Sequence, residues 1–340
     1  MALPVLTPRP RNRVVLPPVH PDGPLLPPPP GLRLHRLTGA AMGTGWTVLA
    51  HAAPDAADTL RALIAAEIAR TIALFSPWVA ESEISRLNTA PGGDLPLSPA
   101  FAAVLAPLLD LARDTEGASD PTLGALVDLW GFGPPGPRPA AAPLPGGAGI
   151  AAARAVSGWR RVHLAAGRLH RPAGLRLDLS GSAKGWAVDQ VSARLTAAGA
   201  EFHMVEIGGE LRARGLKPDM QPWWVEIEQI HPGPRLLVAL NGMALAGSGD
   251  WRRQFTHAGR RYAHTIDGAA GWPVDNGVAT VSVLHDSAMM ADALATALMV
   301  MGPGRGMDFA AARGIAALMV LHRGDRIASP ALARMMEDAC

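Results

Sequence analysis

Apolar residues recur every three to four positions along several segments of the chain. This period predicts helices whose apolar face packs against a core. The predicted helices are 55–74, 98–117, 182–198 and 287–301. Asp55 or Asp58 is a candidate cap for the first helix, while Ser98 and Pro99 give the second a cap followed by a proline at its first turn. Pro107 lies inside the second helix and predicts a kink or a break.

Shorter apolar runs predict strands between and after these helices. The predicted strands are 174–179, 202–207, 223–229, 235–240, 262–267, 278–284 and 316–322. They come in runs, and the helices are grouped between the runs. This order favours the α+β class over a regular alternation of strands and helices.

Composition limits the classes of protein to which the chain can belong. Its 340 residues, 49% of them apolar, suffice for one large or two small domains with a substantial core. The single cysteine, Cys340, excludes a disulfide framework and a cysteine-rich metal site. A net charge of +2 argues against a protein built to coat nucleic acid. Only Lys184 and Lys217 are lysines among 31 basic residues, so each lysine invites a specific explanation.

Proline is concentrated at the start of the chain. Its density from Pro4 to Pro30 disfavours helix and sheet, which predicts a disordered leader over 1–31 or, alternatively, a docking tail for a proline-binding partner. We find no apolar signal-peptide core and no uninterrupted run of about 18 apolar residues, so we expect no transmembrane span. A cytoplasmic location is expected by default, and a periplasmic one if the start codon is misassigned. A second segment rich in proline and glycine, 134–149, predicts a surface loop.

A predicted strand, turn and helix around Gly181 suit the binding of an anion. Glycine permits close backbone approach, and a helix start offers unpaired N–H groups and the positive end of its dipole. Lys184 adds a formal charge in the first turn, where a lysine opposes the dipole unless an anion lies nearby. The pattern, with Asp178 just before the turn, favours a phosphate site. An ordinary solvated helix start is the alternative.

Asp292 and Thr296 are polar residues in an otherwise apolar helix. Four positions apart, they share one helix face. A carboxylate there is costly unless it is paired, neutralised or bound to a cation, and carboxylate and hydroxyl oxygens suit Mg²⁺. The alternative is a hydrogen-bonded aspartate beside a threonine that bonds back to its own helix.

Further candidate residues lie near turns. His264 precedes a glycine-rich turn and is a candidate general base, or alternatively makes a structural hydrogen bond. Trp78 is a candidate stacking surface for a planar ring, or alternatively a core or lid aromatic. Asp120, in an Asp-Pro-Thr turn, could lie next to a ligand, but this signal is weak on its own.

Several short motifs, in this order, resemble those of the ApbE family, the FAD:protein FMN transferases. The motifs are MGT at 42–44, SPW and SEISRLN within 76–88, DPTLGALVDLWGFG at 120–133, LDLSGSAKGWAVDQV at 177–191, VEIGGELRARG at 205–215, SGDWRRQF at 248–255, HTIDGAAGWPV at 264–274 and ADALATALMVMGP at 291–303. The likeness runs from about Thr38 to the C-terminus, and its strength lies in the shared order of the motifs.

The resemblance implies one α+β domain over 32–340, similar to the T-fold, with mixed and antiparallel sheets and flanking helices. It implies FAD as substrate, Mg²⁺ as cofactor, and transfer of the FMN half of FAD to a Thr or Ser hydroxyl with release of AMP. The expected acceptor is a flavin-carrying subunit of a membrane redox complex, and nucleic acid is not an expected partner. Some family members instead hydrolyse FAD to FMN and AMP.

The resemblance also assigns roles to matched residues. His264 matches a proposed base for the acceptor hydroxyl. Asp292, Thr296 and the carbonyl of Gly181 match metal ligands. Positions near FAD are matched by Met42, Trp78, Ala118, Ser119, Asp120, Asp178, Lys184 and Ile266.

The chain departs from the family pattern at three places. Gly247-Ser248-Gly249 stands where TSG is common, and the segment after Asp267 lacks a turn proline and a threonine. Ala295 stands where some members carry a second acid, so the metal would hold more waters. These departures leave two rivals to a transferase, which are an FAD hydrolase and a non-catalytic flavin carrier or assembly factor.

Overall fold

Runs of strands and groups of helices follow one another along the chain in this computed structural model, which describes residues 13–18, 20, 23–139, 142–251 and 253–338. The helices are α1 (Ala57–Phe75), α2 (Glu83–Thr89), α3 (Pro99–Asp114), α4 (Gly124–Leu129), α5 (Gly147–Ala155), α6 (Ala183–Ala197), α7 (Ala288–Met301), α8 (Pro303–Ala312) and α9 (Pro330–Ala333). The strands are β1 (Arg13–Val15), β2 (Arg33–Ala41), β3 (Thr44–Ala52), β4 (Gly93–Pro96), β5 (His163–Ala165), β6 (Arg168–Arg171), β7 (Phe202–Ile207), β8 (Glu210–Arg214), β9 (Trp223–Glu226), β10 (Leu236–Leu240), β11 (Ala244–Gly249), β12 (Gln254–His257), β13 (Arg260–Ala263), β14 (Ile266–Asp267), β15 (Trp272–Pro273), β16 (Val278–His285), β17 (Ala316–Leu321), β18 (Arg326–Ala328) and β19 (Met336–Asp338).

The largest sheet is antiparallel, with the strand order β18-β17-β16-β11-β8-β7-β3-β2. Because side chains alternate along a strand, each central strand serves two cores. On β7, Val205 and Ile207 pack with α1 and α6, while Met204 packs with the four-stranded sheet β19-β1-β10-β9. Helix α7 packs against β11 and β16 and also against α6. The start of α6 therefore lies beside the first half of α7.

The expected disordered leader is wrong at residues 13–15. These residues form β1, which pairs in parallel with β10 and antiparallel with β19, so this sheet is mixed. Val14 and Val15 are buried, and their burial offsets the loss of chain entropy. Residues 1–12, which hold the first prolines of the predicted leader, lie outside the described residues.

Other expected elements hold to within a few residues. Helices α6 and α7 and strands β7, β10, β16 and β17 confirm their predicted spans closely, and β9 confirms the first half of its span. The cap at Ser98 is confirmed, since its hydroxyl accepts from the Phe101 N–H at 3.2 Å. These elements confirm the α+β class, with antiparallel and mixed sheets and helices packed on them.

Five local expectations are wrong. Neither Asp55 nor Asp58 caps α1, whose N-cap is Ala56 without a side-chain bond. A break at Pro107 does not occur, because the buried face of α3 holds the helix together on both sides of it, while the alternative of a kink stays a prediction. The predicted strand 262–267 is divided between β13 and β14. The end of the predicted loop 134–149 is helical, because α5 buries Ile150 against Trp130; residues 140 and 141 lie outside the described residues.

The fifth wrong expectation is the strand 174–179, which forms only a single bridge between Leu123 and Arg176. The Asp178 N–H donates to the Pro121 carbonyl at 2.9 Å and the Gly124 N–H donates to the Arg176 carbonyl at 3.0 Å, and side chains supply further hydrogen bonds to this segment. The Asn88 amide donates to the Leu177 carbonyl at 2.9 Å and accepts from its N–H at 2.7 Å. The buried Arg171 guanidinium donates to the carbonyls of Leu175 and Ala90 at 3.0 and 2.7 Å, and also to that of Leu87. The segment leading to Gly181 is thus ordered without being a strand.

None of the helices in the described ranges combines the length and the apolar character that crossing a bilayer requires.

Candidate active site

The start of α6 and the first half of α7 are pressed together at one point. A Cβ placed on Gly185 would lie 2.2 Å from the carbonyl oxygen of Ala288, so only glycine permits this approach. The Gly185 N–H points at Asp292, whose Oδ2 lies 3.4 Å away. The predicted phosphate site and the predicted metal helix are therefore neighbours.

Lys184 meets a carboxylate that sequence reasoning did not assign. Its ammonium forms an ion pair with Glu210, at the start of β8. The Glu210 side chain is 2% exposed and that of Lys184 is 29% exposed. Burial raises the pKa of Glu210, the Lys184 ammonium opposes the rise, and the charge of Asp292 adds to it.

Asp292 and Thr296 lie on one face of α7, as their spacing predicts. Asp292 is 3% exposed, and burial raises the pKa of its carboxyl while Lys184 lowers it. The Thr296 hydroxyl donates to the backbone carbonyl oxygen of Asp292 at 3.2 Å, and it lies 3.0 Å from the Ser248 hydroxyl. A Cβ on Gly181 would be 3.1 Å from the Thr296 oxygen, so the turn before α6 reaches this helix. The three residues predicted as metal ligands are therefore neighbours in the fold.

This donor set fits a hard divalent cation. The groups are a carboxylate, a hydroxyl and a backbone carbonyl, and all offer oxygen, which Mg²⁺ prefers. Burial raises the pKa of both Asp292 and Glu210, so a cation bound beside them would favour their charged forms. Within the described ranges no group of three or more His, Cys, Asp or Glu side chains is arranged for a metal. A cation here would complete its shell with water or with oxygens of a substrate.

His264 is half-buried and its protonation pattern follows from its contacts. Its Nδ1 lies 3.1 Å from the carbonyl oxygen of Arg253, which can only accept, so Nδ1 carries the proton and Nε2 keeps its lone pair. Burial lowers the pKa of His264 to about 4, with a further contribution from Arg253. The ring is therefore a neutral base at physiological pH.

Trp78 lies at the edge of a cleft beside Asp178. Its side chain is 52% exposed, and the Arg253 guanidinium stands 5.8 Å from its ring centre. The cleft is also lined by Asn88, and the Asp178 carboxylate accepts from the Ser180 N–H at 2.8 Å. An exposed indole in a cleft is suited to stacking on a planar ring, whereas a core role would require burial.

The loop of Ala118, Ser119 and Asp120 is held by internal bonds. Asp120 accepts from the hydroxyl of Thr122 at 2.6 Å and from the N–H of Trp159 at 3.2 Å, and burial raises its pKa. Ala118 is buried, and the Ser119 N–H donates to Thr115. In the described residues Asp120 thus shapes its loop, and any contact of the loop with a ligand stays a prediction.

Met42 and Ile266 take different places. Met42 lies in the turn between β2 and β3 with a φ of +52°, next to Thr44, which packs beside Gly208 and hence near Lys184. The Ile266 side chain is buried in a cluster with Trp130 and Tyr262. The side chain serves this core, and the backbone of Ile266 pairs with Pro273 of β15.

Sequence reasoning missed Glu210, Ser248 and Arg253 as site residues. Glu210 lies in the motif VEIGGELRARG, and Ser248 begins the motif SGDWRRQF. For Glu210 the available signal was an acid directly after two glycines. Arg253 acts through its backbone carbonyl on His264, which no sequence pattern reveals.

Known proteins resemble this chain along most of its length. Residues 42–319 match the ApbE family. FAD:protein FMN transferase from Vibrio cholerae is 38% identical over 303 residues, covering 87% of this chain and 90% of the relative. The enzyme of the same name from Haemophilus influenzae is 37% identical, covering 73% of this chain and 74% of the relative.

Solved structures show the same fold. The apo form of the flavinyl transferase ApbE from Pseudomonas stutzeri superposes with a TM-score of 0.82 and 36% identity, covering 89% of this chain and 97% of that one. The flavin transferase ApbE from Vibrio cholerae superposes equally well, with 35% identity and 99% of its chain covered. Sequence and fold agree over nearly the whole length of both proteins, and the chain therefore belongs to the ApbE family.

Proposed function

We propose that this protein is an FAD:protein FMN transferase, which moves the FMN moiety of FAD to a Thr or Ser hydroxyl of an acceptor protein and releases AMP. The observation that carries the proposal is that Lys184, at the start of α6, lies close to Asp292 and Thr296 of α7. The neutral base His264 is near the same lysine. The names of the relatives support the same reaction.

The oxygen donors on α7 and in the turn before α6 would suit a divalent cation such as Mg²⁺. Asp292, Thr296 and the Gly181 carbonyl would hold it. When bound, such a cation neutralises the charge that develops as a phosphoanhydride breaks. The Lys184 ammonium and the N-terminus of α6 contribute positive charge at the same place.

His264 supplies the base. Its Nε2 lone pair accepts the proton of the acceptor hydroxyl, and the oxygen attacks the FMN phosphorus. A new P–O bond to the acceptor forms, the bond between the two phosphates breaks, and AMP leaves with its electron pair. The Nδ1–H bond to Arg253 keeps the ring in the tautomer that this step needs.

The exposed face of Trp78 offers a stacking surface for a flavin or adenine ring, and Asp178 borders the same cleft. We further propose that the acceptor is a flavin-carrying subunit of a membrane redox complex. The His264 ring is half-buried, so part of it can be reached from outside. The acceptor protein must therefore present its hydroxyl on an exposed segment that can approach this ring.

The test is incubation of the protein with FAD, Mg²⁺ and a purified flavin subunit, followed by mass spectrometry of the subunit and quantification of AMP. A covalent gain of FMN with an equal amount of AMP supports the transferase. Free FMN and AMP without modified subunit would show a hydrolase, and bound FAD without AMP at any magnesium level would show a non-catalytic carrier.

Asp292→Asn in the same assay tests the metal assignment. We expect transfer to fall by about a hundredfold or more, because the charged ligand is lost while the side-chain shape is kept. Asp110→Asn is the control, since Asp110 is an exposed residue of α3 paired only with Arg113 among its described ion-pair partners. Full activity of Asp292→Asn across a magnesium titration would contradict the assignment.

A further inference from the structure

Glu210 is a buried carboxylate that stability alone does not explain. Its Oε1 accepts from Lys184, while Oε2 is buried and has no hydrogen-bond partner among the described residues. A half-satisfied buried ion pair gains little free energy over a well-packed apolar pair. A role in placing charge accounts for this arrangement.

The turn between β7 and β8 brings Glu210 to Lys184. Gly208 and Gly209 have φ angles of +65° and +106°, which favour glycine. The Glu206 carboxylate closes the turn by accepting from the Gly209 N–H at 2.8 Å. A Cβ on Gly208 would lie 3.3 Å from Cδ of Lys184, so the lysine side chain runs along this turn.

One ammonium thus serves two buried carboxylates. Lys184 acts electrostatically on both Glu210 and Asp292, but its hydrogen bond goes to Glu210. Asp292 receives a long contact of 3.4 Å from the Gly185 N–H. Its remaining oxygen capacity is what a cation would use.

We propose that Glu210 is a positioning residue that holds the Lys184 ammonium at the start of α6 and keeps it from pairing with Asp292. This inference rests on the proposed function, since it assigns Asp292 to a divalent cation and Lys184 to a phosphate. Without the Glu210 charge, Lys184 turns to Asp292, competes with the cation and is less available to the anion.

Glu210→Gln tests the proposal first through cation binding without FAD. The probe is Mn²⁺ alone, titrated into the protein and followed by electron paramagnetic resonance. We expect affinity for Mn²⁺ to fall about tenfold, the scale of one hydrogen bond to a charged group. In turnover, KM for FAD and the magnesium concentration at half-maximal rate rise, while kcat at saturation changes little.

Glu67→Gln is the matched control. Glu67 is also a buried glutamate, 7% exposed, and it pairs with Arg194 at the other end of α6. Its variant carries the same loss of a buried ion pair but leaves Mn²⁺ binding unchanged. Glu210→Asp, which keeps the charge, restores part of the lost affinity and serves if Glu210→Gln folds poorly.

A double variant separates positioning from a direct effect of charge. Once Lys184→Gln removes the competing ammonium, adding Glu210→Gln produces no further loss of Mn²⁺ affinity. An equal loss in the presence and absence of Lys184 would overturn the proposal, because Glu210 would then act without the lysine.

Lysine labelling gives a readout independent of activity and metal. The sequence has only two lysines, and Lys217, whose side chain is 12% exposed, is an internal standard. Because Lys184 pairs with Asp292 only once the Glu210 charge is lost, we expect Asp292→Asn to speed the reaction of Lys184 with an amine reagent, relative to Lys217, in Glu210→Gln and to change it little in the parent protein. Labelled peptides are quantified by mass spectrometry. Unchanged labelling and Mn²⁺ binding would refute the positioning role alone, whereas failure of the parent protein to bind FAD would refute the proposed function.

Discussion

At the scale of single residues, His264 shows how the environment selects a chemical role. The carbonyl of Arg253 settles which ring nitrogen carries the proton, and burial keeps the ring neutral. A histidine with its ordinary pKa would be partly protonated near neutral pH and would lose its lone pair. The contact with Arg253 therefore holds the ring in the tautomer that the proposed proton abstraction requires.

This lowered pKa predicts the acid limb of the pH profile. Because the pKa of His264 falls from 6.5 to about 4, the base stays competent as pH drops, until it protonates near pH 4. We expect kcat/KM for FMN transfer, measured at saturating Mg²⁺ so that a bound cation keeps Asp292 charged, to fall to half its plateau near pH 4 instead of near 6.5. Circular dichroism at each pH separates this limb from acid unfolding. A limb centred near 6.5 would contradict the assignment.

At the scale of elements, the start of α7 is fixed by a residue of α6. Asp189 accepts from the Ser287 hydroxyl at 2.7 Å and from the N–H groups of Ala288 and Met289 at 3.0 and 3.1 Å. Arg212 pairs with the same carboxylate at 3.1 Å. A carboxylate at a helix N-terminus accepts hydrogen bonds from the unpaired N–H groups, and its negative charge is stabilised by the positive end of the helix dipole. These hydrogen bonds to Asp189 fix the position of α7 relative to α6, and with it the position of Asp292.

Asp189→Asn tests this anchoring. The substitution removes the charge, so we expect the free energy of unfolding to fall by about 1–2 kcal/mol and the affinity for divalent cation to fall with it. Chemical denaturation and Mn²⁺ titration measure the two effects. Asp114→Asn, which loses only an exposed pair with Arg313, is the control and should change neither by a comparable amount. A variant as stable as the parent would show that α7 is held by packing alone.

At the scale of the whole molecule, β1 is an inner strand of the four-stranded sheet and lies between β19 and β10. It joins β10, from the middle of the chain, to β19, near its end, and Val15 is fully buried in the core between the two sheets. Proline-rich flanks did not prevent this strand, because three consecutive residues without proline suffice for it. The start of the described chain is thus part of the fold.

Val15→Asp tests the contribution of β1 to stability. We expect the free energy of unfolding to fall by about 3 kcal/mol, since a carboxylate would be buried among apolar side chains. Leu25→Asp is the matched control at a position that is 52% exposed, and it should change stability by about 0.5 kcal/mol or less. Equal stability of both variants in thermal and urea unfolding would show that β1 is dispensable.

Sequence by itself determined the elements whose signal is local. Apolar period located α6 and α7, shorter apolar runs located β7, β10, β16 and β17, and the cap at Ser98 located the start of α3. The spacing of Asp292 and Thr296 placed them on one helix face. The order of the motifs identified the family, because each motif consists of particular residue types at short spacing.

Only the tertiary structure decided the rest. Asn88 orders Leu177 from 89 positions away, Glu210 pairs with Lys184 from 26 positions away, and β1 pairs with β10. Such partners leave no periodic trace, because their effect arises from a backbone path that closes only when the whole core is packed. The same reason made 174–179 resemble a strand, since its buried leucines are apolar in either case. Its hydrogen-bond partners that are distant in sequence include the side chain of Asn88 and the backbone of Pro121 and Gly124, and the side chain of Arg171 is a nearer one.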